Sequence, residues 1–170
     1  MINLNELKAK ARKIKLLLTD VDGVLTDGGV YFSDQGESLK RFNIRDGMGV
    51  RRLKELRGID TGILTGEKSP SVRLRAEKLE IEELHLGADD KAPLVKAIAK
   101  RRGLALDEVA FIGDDVNDLE AMKLVGFTAC PGDGFAQVRN SVHYVCRENG
   151  GHGAFRELAE FILAAHETTP

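Results

Sequence analysis

The chain has 170 residues, 42% of them apolar and 31% charged, with a formal net charge of −2, a balance that suits a globular fold with a sizeable core. It argues against a nucleic-acid surface, since Arg51-Arg52 and Lys100-Arg101-Arg102 are short clusters of the kind found on solvated helix faces. No run approaches the ~18 apolar residues of a membrane span, no secretory leader pattern opens the chain, and Cys130 and Cys146 lack metal-ligand spacing. Reduced structural thiols and a cytoplasmic location are therefore expected.

In chain order, the apolar run at 15–19 predicts a buried strand. Residues 28–42 read as a β-hairpin, with Val30, Tyr31 and Phe32 facing Leu39 and Phe42 across an Asp-Gln-Gly turn. Such a hairpin is marginal alone and must pack on its own domain or on another subunit. Residues 49–57 predict a helix with Val50, Leu53 and Leu56 on one face and Gly58 as its stop. A strand at 61–64 and a helix at 69–79, with Pro70 in its first turn, come next. A strand is predicted at 81–86, a helix at 92–102, a strand at 109–112, a helix at 115–124 and a strand at 127–129. A short strand at Tyr144-Val145 and a helix at 154–166 complete the chain.

Alternating strands and helices at this spacing predict βαβ units, a parallel sheet covered on both faces, and a three-layer α/β/α Rossmann-like fold. Ligands in such folds bind beyond the carboxyl ends of the strands. Asp20, Asp22, Thr65, Asp114 and Asp115 all fall at such ends. Asp20 can attack phosphorus as a carboxylate nucleophile, given a cation between it and its anionic target. Mg²⁺ fits that need, with Asp114 as the second carboxylate. Asp22 points the same way as Asp20 in an extended segment and can serve as acid and base. Thr65-Gly66 offers a hydroxyl and backbone N–H groups for phosphate oxygens, and Lys91 a point positive charge. Asp115 and Asp118 are placed to hold water around the metal or to orient Lys91.

Taken together, Asp20-Val21-Asp22-Gly23-Val24, Thr65, Lys91 and Gly113-Asp114-Asp115-Val116-Asn117-Asp118 resemble, in order, the four motifs of the haloacid dehalogenase-like phosphatase superfamily. The resemblance implies Asp20 as nucleophile, Asp22 as general acid and base, and Asp20, the Asp22 backbone carbonyl and Asp114 as Mg²⁺ ligands. A receiver domain also gathers Asp, Thr and Lys around Mg²⁺, but it places the phosphorylated Asp on a middle strand after an acidic pair, the reverse of the order here.

Thr26-Asp27-Gly28 with the hairpin, the segment Phe42 to Gly49, and the tail Gly150-Gly151-His152-Gly153-Ala154-Phe155-Arg156-Glu157 further resemble the 3-deoxy-D-manno-octulosonate 8-phosphate phosphatase group and its relatives acting on nonulosonate 9-phosphates. Only 38 residues separate Thr26 from Thr65, and 25 separate Thr65 from Lys91, which leaves no room for a cap domain. One domain over 1–170 is expected, with a hairpin insertion at 28–42 and a glycine-rich tail and helix at 149–166. The group implies a homotetramer, with hairpins paired at its centre and tails reaching neighbouring active sites. A 2-keto-3-deoxy sugar acid phosphate carries a carboxylate far from its phosphate, and Arg45, Lys68, Arg73, Arg75 and Arg156 are cationic candidates to meet it, with Thr65, Gly66 and Lys91 on the phosphate. The eight-carbon acid is the expected substrate. Glu67-Lys68, where the resemblance implies a basic residue at 67 for that substrate, looks more like the nine-carbon acid phosphatases. A non-catalytic oligomerisation module is the other alternative, and a phosphotransferase or mutase is disfavoured by the small frame.

Overall fold

The computed structural model of the chain describes residues 3–167. Helix α1 (Leu4–Ala11) opens it, started by a capping box in which Asn3 and Glu6 each accept from the other's backbone N–H. Strand β1 (Leu16–Thr19) follows, then a separate antiparallel hairpin of β2 (Tyr31–Ser33) and β3 (Gly36–Leu39). The chain continues through α2 (Ile44–Arg57), β4 (Asp60–Thr65), α3 (Pro70–Lys78), β5 (Glu83–Leu86), α4 (Lys91–Arg102) and β6 (Val109–Ile112). A 3₁₀ turn at Val116–Asp118 runs into α5 (Leu119–Met122), followed by β7 (Phe127–Cys130), α6 (Ala136–Arg139), β8 (Tyr144–Val145) and α7 (Ala154–Ala165).

The six strands outside the hairpin form one parallel sheet in the order β5-β4-β1-β6-β7-β8. Strand β1 lies inside it because its residues are apolar on both faces. Leu17 packs on one side with α1, α2, α3 and α7, and Leu16 and Leu18 on the other with α4, α5 and α6. The chain winds from β1 to β4 and β5, then returns to the opposite flank of β1 with β6. The reversal places a crevice at the carboxyl ends of β1, β4 and β6. No cap domain stands over it among the described residues.

Several boundaries differ from the sequence expectation. Helix α2 starts five residues early, at Ile44, because the Asn43 side chain accepts from the Arg45 N–H and caps it. The helix expected at 115–124 is shorter and begins as a 3₁₀ turn, since Asp115 caps Val116 and Asp118 is drawn inward. Helices α1 and α6 were not anticipated. The hairpin is narrower than 28–42: Tyr31 pairs with Leu39 and Phe32 with Glu37, while Val30 and Phe42 fall outside the strands.

Helices α2 and α7 form the most extensive helix pair. Gly153 at the N-cap of α7 has no side chain to offer, and Asp46 of α2 supplies one from outside, its Oδ1 accepting from the Arg156 N–H at 2.9 Å. Burial pushes the Asp46 carboxyl up to about 6, against the pull of that N–H and of Arg75, His152 and Arg156. Its Oδ2 finds no hydrogen-bond partner among the described residues. A folded pKa above the unfolded one means that stability from Asp46 is complete below about pH 4 and lost as pH rises through about 6, about 2–3 kcal/mol in all. In urea denaturation across pH 4–7, Asp46→Asn is expected to remove that slope while keeping the cap, and Asp46→Ala to cost about 1–2 kcal/mol at low pH. Identical slopes in wild type and Asp46→Asn would refute the assignment.

Candidate active site

Strand register sets the first carboxylate. Thr19 lies between Ile63 of β4 and Ile112 of β6, and the next N–H, that of Asp20, donates to the Ile112 carbonyl at 3.0 Å. Asp20 therefore stands at the mouth of the crevice while its side chain is buried. Gly113-Asp114 leaves β6 beside it, Thr65 ends β4, and Lys91 opens α4 just past β5.

Carboxylate oxygens of Asp20, Asp114 and Asp118 lie within 4.8 Å of one another. Lys91, its side chain 1% exposed, sits among them, with Nζ 3.0 Å from Asp20 Oδ1 and 2.6 Å from Asp118 Oδ1. Asp118 Oδ2 accepts from the Asp114 N–H at 3.1 Å, so one buried carboxylate orients both the lysine and the β6 loop. Asp20 Oδ1 also accepts from the Val21 N–H at 2.7 Å, which leaves Oδ2 without a hydrogen bond among the described residues.

This crowding has an electrostatic consequence. Burial, then the charges of Asp20, Asp118 and Asp115, push Asp114 up to about 8. Burial and Asp118 raise Asp20 to about 6 despite Lys91. Burial raises Asp118 as well, against the pull of Lys91. Burial alone would lower the Lys91 ammonium, but Asp20 and Asp118 outweigh it and hold it above its ordinary value.

A cavity of about 410 Å³ opens over these groups, lined by Asp20, Asp22, Thr65, Gly66, Glu67 and Asp114 among others. Gly23 lets the loop pass: its φ is +81°, and a Cβ there would stand 2.0 Å from Asp114 Oδ2. The Thr65 hydroxyl accepts from the Glu67 N–H at 3.2 Å, fixing the turn that presents Gly66. The Asp22 carboxyl lines the same cavity but does not belong to the carboxylate cluster. Its Oδ1 accepts from Lys40 Nζ at 2.6 Å and from the Thr26 hydroxyl at 3.4 Å. Asp118 takes the third carboxylate place in the cluster, and exposed Asp115 caps the 3₁₀ turn.

The cations expected to meet a substrate carboxylate are more scattered. Arg45 is exposed on the first turn of α2. Arg75 donates to the Asn43 carbonyl at 2.9 Å and lies over the Phe42 ring. Arg156 pairs with Glu160 at 2.7 Å. Lys68 and Arg73 line a neighbouring hollow with Ser69 and Leu86. None of the five lines the carboxylate cavity.

The glycine-rich tail, which the resemblance places against a neighbouring subunit, lies over residues 150–153 on this chain's own acidic loop. Gly151 N–H donates to the Val24 carbonyl, and a Cβ at Gly150 would stand 1.9 Å from the Gly23 carbonyl oxygen. Lys40 was not anticipated here. Nothing local marks it out from a solvated lysine, and only the folded chain shows its side chain buried against Asp22.

Comparison with known proteins shows the family to which the chain is similar. Residues 37–126 match the family model of haloacid dehalogenase-like hydrolases. The 3-deoxy-D-manno-octulosonate 8-phosphate phosphatase of Haemophilus influenzae is 38% identical over 159 residues, covering 94% of this chain and 88% of that protein. A crystal structure of the Yersinia pestis phosphatase of the same name superposes with a TM-score of 0.92 at 38% identity, over 96% of this chain and 88% of that one. The Moraxella catarrhalis phosphatase, solved with magnesium, phosphate and 3-deoxy-D-manno-octulosonate, gives 0.92 at 39% identity, over 96% and 93%.

Proposed function

Because the chain belongs to the haloacid dehalogenase-like hydrolases and is a phosphoric monoester hydrolase of that family, we propose that it hydrolyses 3-deoxy-D-manno-octulosonate 8-phosphate through a phosphorylated Asp20. The observation that carries the mechanism is the Asp20–Lys91–Asp118 triad beside Asp114 at the carboxyl ends of β1 and β6. Bound Mg²⁺, held by Asp20, Asp114 and the Asp22 backbone carbonyl, supplies positive charge that lets two anions meet.

The chain's own residues do the rest. Val21 N–H and Lys91 hold Asp20 Oδ1, and Oδ2 attacks phosphorus. The Thr65 hydroxyl, the Gly66 N–H and Lys91 hold the phosphoryl oxygens as charge shifts on them. Asp22 gives its proton to the departing sugar oxygen and then takes one from the water that hydrolyses the acyl phosphate. Asp118 and Asp115 position Lys91 and the β6 loop. Arg45, Lys68 and Arg75 remain the proposed carboxylate contacts.

One specific observation favours a second reading. Glu67 lines the cavity, and an acid there fits a nonulosonate 9-phosphate of the sialic acid type. Phosphate release with Mg²⁺ from the two substrates side by side distinguishes them. The eight-carbon ester is expected to show a kcat/KM at least about tenfold higher, and the reverse preference would establish the nine-carbon reading. The non-catalytic module is disfavoured, since Asp20, Asp22 and Asp114 line one cavity and Lys91 pairs with Asp20.

The proposal extends to assembly as one domain over 1–170 in a homotetramer. Phe32 is 75% exposed and Ile44 84%, and with Tyr31 and Leu39 they give the hairpin region an apolar surface that a partner would cover. No described helix is long and apolar enough to cross a membrane. Cys130 and Cys146 are free and buried, which fits a cytoplasmic enzyme.

A further inference from the structure

We propose that Lys40 is a positioning residue for the reaction, which from the hairpin holds the Asp22 carboxyl in the orientation that delivers a proton to the leaving oxygen. This rests on the reading of Asp22 as the general acid. Lysine is normally solvated, yet the Lys40 side chain is 1% exposed. Its Nζ is 2.6 Å from Asp22 Oδ1 and 3.3 Å from Glu37 Oε2. Glu37 Oε1 in turn accepts from the hydroxyl of Ser69, at the start of α3. The ammonium thus joins the loop after β1 to the hairpin, and the loop after β4 braces the Glu37 carboxylate.

Burying an ammonium is expensive and tolerable only when it is paired and hydrogen-bonded, and Glu37 is the counter-ion that remains when Asp22 carries its proton on Oδ2 and Lys40 donates to its Oδ1. An ion pair with a purely structural task needs no particular oxygen. Here both donors to Asp22, Lys40 and the Thr26 hydroxyl, converge on Oδ1. Oδ2 has no hydrogen bond among the described residues, and Asp22 is 27% exposed at the cavity. Clamping one carboxyl oxygen fixes the direction of the other. In the step served, the Asp20 Oδ2–phosphorus bond forms, the phosphorus–sugar oxygen bond breaks, and the Asp22 proton passes to that oxygen. Lys40 does not line the cavity, so it acts through Asp22.

The test compares kcat/KM, with Mg²⁺, for 3-deoxy-D-manno-octulosonate 8-phosphate and for p-nitrophenyl phosphate. The sugar alkoxide needs a proton to leave, whereas p-nitrophenolate does not. Lys40→Met is expected to lose about 10–100-fold on the sugar ester and less than about threefold on the aryl ester. Asp22→Asn should show the same split with a larger loss, and the double variant should be no slower than Asp22→Asn alone. Equal losses on both esters, or additive losses in the double variant, would overturn the proposal, because a general loosening of the fold affects both substrates alike. Lys40→Gln, read on the same two esters, serves if Lys40→Met fails to fold. Asp20→Asn is the control: turnover there would overturn the reading of the site, whereas wild-type rates in both Lys40 variants would overturn only the role of Lys40.

Discussion

Asp20→Asn is expected to lower turnover of the sugar acid phosphate by about 10⁴-fold or more while leaving the fold intact. The expectation rests on position. Asp20 lies at the carboxyl end of the central strand β1, its backbone held by Ile112 and its Oδ1 by Val21 and Lys91. The amide retains the shape of the side chain but cannot form the acyl phosphate. The stability effect is predicted to run the other way. Asp20 shares Lys91 with Asp118, and after burial its charge is the largest influence that raises Asp114, so losing its charge relieves repulsion among buried carboxylates. Metal-free Asp20→Asn should melt at or above the wild-type temperature and bind Mg²⁺ more weakly. Phosphate release and thermal melting check both halves, and undiminished Mg²⁺-dependent turnover would rule out Asp20 as the nucleophile.

The second large effect is predicted for Lys91→Met, which should fail in both respects. Among the described residues Lys91 is the one cation in direct contact with Asp20 and Asp118, at 3.0 and 2.6 Å, and its side chain is 1% exposed. Methionine fills much of the space but leaves Asp20, Asp118 and Asp114 facing one another without it. Removing one partner from a buried charged set costs about 3–5 kcal/mol, visible in urea denaturation without metal. Activity should fall about 10³-fold, because Lys91 both orients Asp20 and meets the phosphoryl charge. Mg²⁺ should restore part of the lost stability, since it binds the folded carboxylates and not the unfolded chain. Asp20→Asn combined with Lys91→Met should unfold less readily than Lys91→Met alone, as one of the stranded charges is then gone. A stability loss below about 1 kcal/mol, with activity retained, would mean that the lysine is dispensable.

The two variants differ in sign for stability although both abolish chemistry. This separates the contribution of the site to function from its cost to the fold. The fold holds Asp20, Asp114, Asp118 and Lys91 together against an excess of negative charge that burial makes costlier, and that excess matches a divalent cation.

How much of this was legible in the sequence depends on the range of the interaction concerned. The strands were legible because burial on both sheet faces demands unbroken apolar runs, as in Leu16-Leu17-Leu18 and Val109-Ala110-Phe111-Ile112. The βαβ alternation then forces the carboxyl ends of the strands to one side, and with them Asp20, Thr65 and Asp114. Local capping was readable in principle and partly passed over: Asn3 with Glu6 starts α1, and Asn43 starts α2.

Other features depend on groups far apart in the chain and leave no periodic or local trace. Lys40 has the sequence surroundings of an ordinary hairpin lysine, and only folding brings it 2.6 Å from Asp22. Asp46 looks like a helix-surface acid, yet it caps α7 across 110 positions. Asp118 rather than the Asp22 side chain joins the carboxylate cluster because the 3₁₀ turn after Asp115 rotates it inward onto Lys91. Arg75, a candidate for substrate, also donates to the Asn43 carbonyl and lies over the Phe42 ring, contacts no local pattern announces. The sequence by itself determined the sheet, its layers and the strand ends where chemistry collects, because burial and chain connectivity act through local pattern. Only the tertiary structure decided which charged side chains meet, because pairing between buried charges depends on distances that no local pattern encodes.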